Sequence, residues 1–497
     1  MTKSIAIVGG GIAGLSAGCY ARMNGYRTTI FEMHTQPGGL CTSWQRNGYT
    51  INGCIHWLLG SSPGHPFHQM WDELGALRGR AIVDHDEFAR VRTDDGRTLV
   101  VYSDADRLEE HMLDLSPEDA PTIRAVARAI RKFSRFAMGT LDAPEVWGWR
   151  QRFLALRGVL PFVPGMVRYG KVSVPRFATR LKNEFLRRAL AAVIDLPDFP
   201  MIGLIAVLGW MHGRCAGYPV GGSLEFARAI ERRFRDLGGD IRYQSKVDRI
   251  LVEDDRAVGV RLVGGSEVRA DYVISAADGH ATIFDLLGGR YINGRLRNRY
   301  QTLVPIPPLI YVGLGVAADL SDSPPSQNWL LDEPLALGGR QVPTITVRHF
   351  GFDPTLAPEG ASVLNVMLEA DYDHWHRLSA DRPRYDAEKE AVAQTVIGLI
   401  EERFPTAAGR IEMVDVATPH TFHRYTGNWR GSWEGWLMTT KTCTLRLPTT
   451  LPGLRNFRMI GQWTQPGGGL PPSALSGRQA VQVICRDDGK RFVADVA

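Results

Sequence analysis

Three glycines spaced Gly9-x-Gly11-x-x-Gly14, directly after the apolar run Ile5-Ala6-Ile7-Val8, are the residues of this 497-residue chain best suited to holding a nucleotide. Gly9 permits a tight turn, Gly11 lets backbone approach a pyrophosphate, and Gly14 lets the next helix pack closely on the strand. That helix, with Ile12 and Ala13 in its first turn, offers unpaired N–H groups and a partial positive charge to phosphate. Glu32, followed by Met33, ends the next apolar strand about 20 residues on, where a carboxylate accepts hydrogen bonds from a ribose. Strand, glycines, helix, strand and acid in that order specify a dinucleotide. A second glycine-rich segment lies near the end, Gly461-Gln462-Trp463-Thr464-Gln465-Pro466-Gly467-Gly468-Gly469-Leu470-Pro471-Pro472-Ser473. The prolines suit the first turn of a last helix, and Ser473 is expected to be its N-cap.

These segments together resemble the FAD-dependent phytoene desaturase, carotenoid isomerase and retinol saturase superfamily, a branch of the amine-oxidase-like flavoproteins. The similarity spans nearly the whole chain and is densest in the nucleotide-binding pieces. In that group a second glycine pair follows the acid, here Gly38 and Gly39 in Pro37-Gly38-Gly39-Leu40. Many relatives carry Arg where this chain has Leu40, and an acid where it has Gln462, so neither contact carries over. A middle piece, Tyr218-Pro219-Val220-Gly221-Gly222-Ser223 and then Lys246-Val247-Asp248, matches a strand pair in which the backbone of Val247 meets the adenine. The resemblance implies one non-covalent FAD, held by Gly9, Gly11, Ile12, Ala13, Gly14, Glu32, Met33, Gly38, Gly39, Leu40, Val247, Gly461, Gln462, Gly469, Leu470 and Ser473. If the last helix points at the flavin pyrimidine, its dipole stabilises negative charge on the reduced ring.

No acid/base constellation stands out as a triad would. His56-Trp57 is the first catalytic candidate, because it follows the second glycine pair on a chain leaving the nucleotide domain, and relatives have a similar Gly-x-His-aromatic segment. The second is the stretch 420–436, where Trp429, Trp433, Glu434 and Trp436 are interleaved with glycines and suit a flat apolar wall beside an isoalloxazine. His420 and His423 lack carboxylate partners at ligand spacing, so no metal site is expected.

The elements that must position these groups follow from periodicity. The expected fold is α/β, a discontinuous Rossmann-type FAD-binding domain with an interleaved α+β substrate domain. Residues 1–75, 215–290 and 445–497 build the nucleotide domain; 76–214 form a mostly helical insertion, and 291–444 a substrate domain with a mixed or antiparallel sheet. The apolar run Met201–Met211 is too short to span a bilayer and reads as a buried helix. Gly313-Leu314-Gly315-Val316-Ala317-Ala318 matches a second dinucleotide pattern, but Asp319 to Pro325 after it cannot form the phosphate-binding helix. It is read as a substrate-domain strand.

Apolar content of 44% and charged content of 22% are those of a folded globular protein. Six scattered cysteines form no CxxC pair and fit a reducing compartment, and no signal peptide precedes the first strand. Between Arg124 and Arg188 basic residues far outnumber Asp142, Glu145 and Glu184 and alternate with Trp147, Trp149, Phe153, Leu154, Leu156, Leu160, Phe162 and Met166. That pattern suits a peripheral membrane surface on a cytoplasmic protein; no nucleic-acid motif accompanies it. The expected activity is oxidoreduction at a C–C or C=C bond of an apolar polyene, isoprenoid or lipid, as desaturase, saturase or isomerase. A flavin amine oxidase and a redox-inactive prenyl or lipid carrier of the same fold, such as the Rab escort proteins, are the rival readings.

Overall fold

A computed structural model describes residues 2–137 and 140–494. Five parallel strands form one sheet in the order Phe457–Met459, Tyr272–Ser275, Ser4–Val8, Arg27–Phe31, Asp240–Arg242. Ser4–Val8 is central and buried at all five positions, as a parallel strand covered on both faces must be. Its two neighbours lie on opposite sides, so a crevice opens at its carboxyl end, where nucleotides bind in such sheets.

The first helix (Ile12–Met23) and the last (Leu470–Asp487) pack against each other on one face of this sheet. Their approach depends on missing side chains. A Cβ on Gly14 would lie 1.9 Å from the Gly9 carbonyl oxygen, and one on Gly477 would lie 2.6 Å from that of Ala13. Ser16 Oγ then donates to the Ala474 carbonyl at 2.7 Å. At the far side of the last helix, Arg478 Nε donates to buried Glu73 at 3.2 Å, and Tyr20 donates to the same carboxylate at 2.5 Å. The guanidinium also reaches the Leu141 carbonyl at 3.1 Å, tying the helical insertion to the nucleotide domain.

A seven-stranded sheet forms the second layer, in the order Ile411–Ala417, Leu309–Val316, Ser362–Glu369, Arg340–His349, Ser326–Leu337, Glu87–Thr93, Thr98–Tyr102. The GxGxxA segment is the buried strand Leu309–Val316 of this sheet. Its glycines admit a neighbour, not a phosphate: a Cβ on Gly313 would meet Ile51 at 2.7 Å, and one on Gly315 would meet Tyr49 at 2.6 Å.

The stretch 76–214, expected to be mostly helical, opens instead with the hairpin Glu87–Thr93 and Thr98–Tyr102, which completes the seven-stranded sheet. Ala89, Val91 and Thr93 alternate inward, a period-two signal masked by the charged residues between them. The helices come after it, among them Ala120–Phe133, Trp149–Val159, Val163–Gly170 and the buried Met201–His212.

Candidate functional site

Both glycine-rich turns open into one cavity of about 2020 Å³, well above the roughly 300–1,000 Å³ of an ordinary ligand pocket. Gly9, Gly11, Ile12, Ala13, Glu32, Met33, Gly38, Gly39, Leu40, Val247, Gly461, Gln462, Gly469, Leu470 and Ser473 all line it. Gly14 lies behind the turn, where its packing against Gly9 sets the helix angle.

Each turn is braced by its own hydrogen bonds. Gly38 N donates to the Gly10 carbonyl at 2.9 Å, and Gly461 N bonds Ser476 Oγ at 2.8 Å. Glu32 Oε2 accepts from Gly10 N at 2.6 Å and Oε1 from His34 N at 2.7 Å. A carboxylate oxygen has two lone pairs, so Glu32 braces the loop and keeps acceptor capacity for a ribose. Neither Gly11, which caps the first helix, nor Gly469, which caps the last, brings a side chain to the orphan N–H groups. A Cβ on Gly11 would meet nothing nearer than the Gly38 oxygen at 3.8 Å, so that side of the turn is open. Two uncapped helix starts, an open glycine flank and a free carboxylate lone pair together fit a dinucleotide.

Ser473 does not cap the last helix as expected. The helix begins at Leu470, because Gly469 takes φ +89°, a value that disfavours any side chain, and both prolines fall in the first turn where no N–H is needed.

The four catalytic candidates, His56, Trp57, Trp433 and Glu434, line the same cavity. The apolar wall expected from three tryptophans does not form. Only Trp433 faces the cavity, its Nε1 donating to the Pro307 carbonyl at 3.0 Å. Trp429 stacks on His280 at 4.8 Å, and Trp436 is buried edge-on to Tyr300 and Trp463. Positive φ at Arg430, Gly431 and Gly435 turns the backbone between the three tryptophans, so they do not share one wall.

Glu434 abuts the flavin-type loop: a Cβ on Gly469 would lie 3.0 Å from its Oε1. Burial pushes its carboxyl up to about 7, against the lowering field of Arg348. His56 is held well below the ordinary imidazole range by burial and then by Arg348, so it stays neutral.

Sequence reasoning missed Arg348. Its Nη1 donates to His56 Nδ1 at 2.9 Å. It sits on the strand Arg340–His349 with Thr344 and Thr346 on the same side. Polar residues at every second position read as a solvent face, and here they face the cavity. Opposite them the helices contribute Phe133, Phe136, Met166, Phe199, Ile202 and Trp210. The site is therefore a nucleotide cradle continuous with a long chamber, one wall apolar and one partly polar. Among the described residues no group of three His, Cys, Asp or Glu stands together as a metal site, and no helix is long and apolar enough to cross a membrane.

The family model described as flavin containing amine oxidoreductase matches residues 12–485. Prolycopene isomerase of Arabidopsis thaliana is 24% identical over 99% of this chain and 84% of its own length. Phytoene desaturase (neurosporene-forming) of Cereibacter sphaeroides is 24% identical over 94% of this chain and 91% of its own. Among solved structures, an oxidoreductase from Methanosarcina mazei superposes with a TM-score of 0.61 at 17% identity, covering 96% of this chain and 100% of that one. Wild-type putrescine oxidase bound to putrescine superposes at 0.58 with 14% identity, covering 98% and 100%.

Two outcomes are expected. Gly11→Val should purify colourless and melt with the flavin-free wild type, below the flavin-loaded one, because its side chain fills only the space a pyrophosphate needs; the visible flavin absorbance and the melting temperatures of the three samples read this. For Glu434, the folded chain holds a proton that the unfolded chain loses between about 4.5 and about 7. Stability should therefore fall as pH rises across that window, by on the order of 1–3 kcal/mol, and level off above it. Urea midpoints of the flavin-free protein across this range should show the slope, and Glu434→Gln should reduce it, leaving the part due to Asp278, whose buried carboxyl is also pushed up to about 7.

Proposed function

We infer that this chain, which belongs to the flavin-containing amine oxidoreductase family, is an FAD-dependent oxidoreductase acting on the carbon–carbon bonds of a long polyene, isoprenoid or lipid. The observation that carries the reading is the chamber beyond the nucleotide cradle, walled by Phe133, Phe136, Phe199 and Trp210 and opening on Glu434. The names of the relatives, an isomerase and a desaturase of polyenes, support it.

FAD, when bound, supplies hydride exchange with carbon. The protein's own residues do the rest. Gly9, Gly11 and Gly38 with Gly39 hold the turn against the pyrophosphate, Glu32 meets the ribose, and the backbone at Gly469 and Leu470 presents the last helix to the ring. Glu434, poised near neutrality at that loop, takes or gives the proton that accompanies a change in carbon–carbon bond order. His56 stays neutral and serves as a fixed donor. The aromatic walls exclude water and hold the chain extended.

The amine oxidase reading loses the support it drew from the tryptophans of 429–436, because Trp429 and Trp436 are spent on packing. Under anaerobic conditions the flavin should bleach with an apolar polyene or unsaturated lipid and stay oxidised with primary amines. Rapid bleaching by an amine, with none by any lipid, would reverse the assignment.

Such a substrate resides in membranes, and one feature equips the protein to reach it. The helix Trp149–Val159 has no buried residue. Trp149 is 75% exposed, Phe153 60%, Leu154 61%, Leu156 60%, Leu160 55% and Val167 71%. Arg150, Arg152, Arg157 and Arg168 stand among them without ion-pair partners within the described residues. Elsewhere in the basic stretch Arg124, Arg131 and Arg188 are paired with Asp106, Glu109 and Asp332, so the proposed docking surface is centred on the exposed apolar residues of this helical segment, 149–170. Met166 and Gly170 of the same segment line the chamber, which supports a route from the docked face to the site. Docking there lets apolar side chains enter the acyl region while each nearby Arg adds about 1 kcal/mol against anionic lipid. The protein should co-sediment with anionic liposomes and release with salt, and charge reversal at Arg150, Arg152 and Arg157 should abolish binding while leaving flavin content unchanged. Equal recovery in the supernatant with and without anionic vesicles would end the idea.

A further inference from the structure

The chamber holds one feature that a pure hydrocarbon does not need. Arg348 lies deep in it and makes a single hydrogen bond from its guanidinium, to His56 Nδ1 at 2.9 Å. Among the described residues no carboxylate lies within ion-pair distance, and its Nε is buried with no acceptor. The groups whose charge it feels are Tyr311, Cys54 and Glu434. Tyr311 is committed elsewhere, donating to the Asn52 carbonyl at 2.6 Å and accepting from Asn365 Nδ2 at 2.7 Å. Glu434, whose carboxyl burial pushes up to about 7, stands outside ion-pair distance of Arg348. Arg348 is thus a buried cation without a counter-ion, a costly arrangement unless a ligand supplies one.

His56 sharpens the picture. Nδ1 stands 2.9 Å from the Arg348 guanidinium, which has only donors, and 3.4 Å from the Cys54 carbonyl; the shorter contact makes Nδ1 the acceptor and puts the ring proton on Nε2. No protein acceptor is recorded for that N–H, and His56 lines the chamber. The free N–H groups of Arg348 and the Nε2–H of His56 therefore form an acceptor-seeking patch. Arg348 and Asn365 are paired across adjacent strands, and Asn365 in turn braces Tyr311, so the patch is fixed by the sheet and not by flexible side chains.

We propose that the substrate carries a carboxylate at one end, bound by Arg348 with His56 Nε2–H beside it, while its unsaturated chain lies along the aromatic helices. The planar fork of a guanidinium matches a carboxylate in two parallel bonds, and one positive charge asks for one negative charge. This rests on the polyene or lipid oxidoreductase reading above and adds the head group to it. The carboxylate end then lies beside Glu434 and the Gly468–Gly469 loop, and the tail runs toward Met166 and the helices.

The test uses the flavin-loaded enzyme and three probes, all-trans-retinoic acid, its methyl ester and lycopene, with binding read from quenching of protein or flavin fluorescence. The wild type should bind the acid about tenfold or more tightly than the ester, the scale of a charge-assisted bidentate pair. Arg348→Gln should bring acid and ester within about twofold, Arg348→Lys should restore part of the preference, and His56→Phe should reduce it by less than Arg348→Gln does. A purely structural Arg348 would weaken acid and ester together and leave their ratio intact, which would overturn the proposal. So would equal binding of acid and ester by the wild type; lycopene binding in that case would leave the hydrocarbon reading standing. Failure of all three probes to bind would overturn both.

Discussion

The contact between the first and last helices is the constraint on which the rest of this structure depends. Gly14 stands where a Cβ would fall 1.9 Å from the Gly9 oxygen, and Gly477 stands where one would fall 2.6 Å from the Ala13 oxygen. Without both glycines the helices cannot approach each other and the central strand closely enough to bring their uncapped starts, at Gly11 and Gly469, to one cavity. In the proposed reading one start takes the pyrophosphate and the other the ring at the opposite end of the same cofactor. Since these helices are separated by nearly the full chain, everything between them is folded in as insertions between fixed points. Arg478, on the last helix, takes up that role on the opposite side by holding Glu73 and the Leu141 carbonyl.

The insertions solve a different problem, which is to enclose a long ligand without filling the space. The seven-stranded sheet supplies a stiff wall because Gly313 and Gly315 let Ile51 and Tyr49 lie directly against it. The helices supply a wall of large aromatic side chains with few polar atoms. Between them the desolvated groups are few, and their protonation follows from burial: Glu434 rises toward 7 and His56 drops. A cavity that sets the neutral His56, the raised carboxyls of Glu434 and Asp278 and the guanidinium of Arg348 among apolar walls is electrostatically distinct from a simple grease-lined tunnel. The helix Trp149–Val159 is distinct in the opposite sense, since none of its residues is buried and Trp149, Phe153, Leu154 and Leu156 are exposed.

Much of the nucleotide site was legible in the sequence because its chemistry is local. A turn that needs positive φ at Gly9 and Gly38, or a helix that must pack on a carbonyl, can be met only by glycine, so spacing alone marks the place. The buried helix at Met201 and the decoy glycines at Gly313 and Gly315 were readable for a similar reason, since run length and the residues that follow restrict the choices. The hairpin at Glu87–Tyr102 was obscured because charged residues alternate with its buried ones. Ser473 was misplaced because a positive φ at Gly469 starts the helix earlier than a capping side chain would suggest.

The tryptophans of 429–436 and the polar row ending at Arg348 mark where local reading stops. Which of three tryptophans faces a ligand depends on two glycines and an arginine adopting left-handed backbone, and on His280 and Trp463 arriving from other parts of the chain. A strand with polar residues at every second position has a dry face and a wet one, but the sequence does not say whether the wet one meets bulk water or an internal chamber. The sequence by itself determined the cofactor cradle, because its requirements are set by backbone geometry within a few residues. Only the tertiary structure decided that Arg348 meets His56 from 292 positions away, because pairing of distant strands, and not spacing along the chain, brings buried charge to a site.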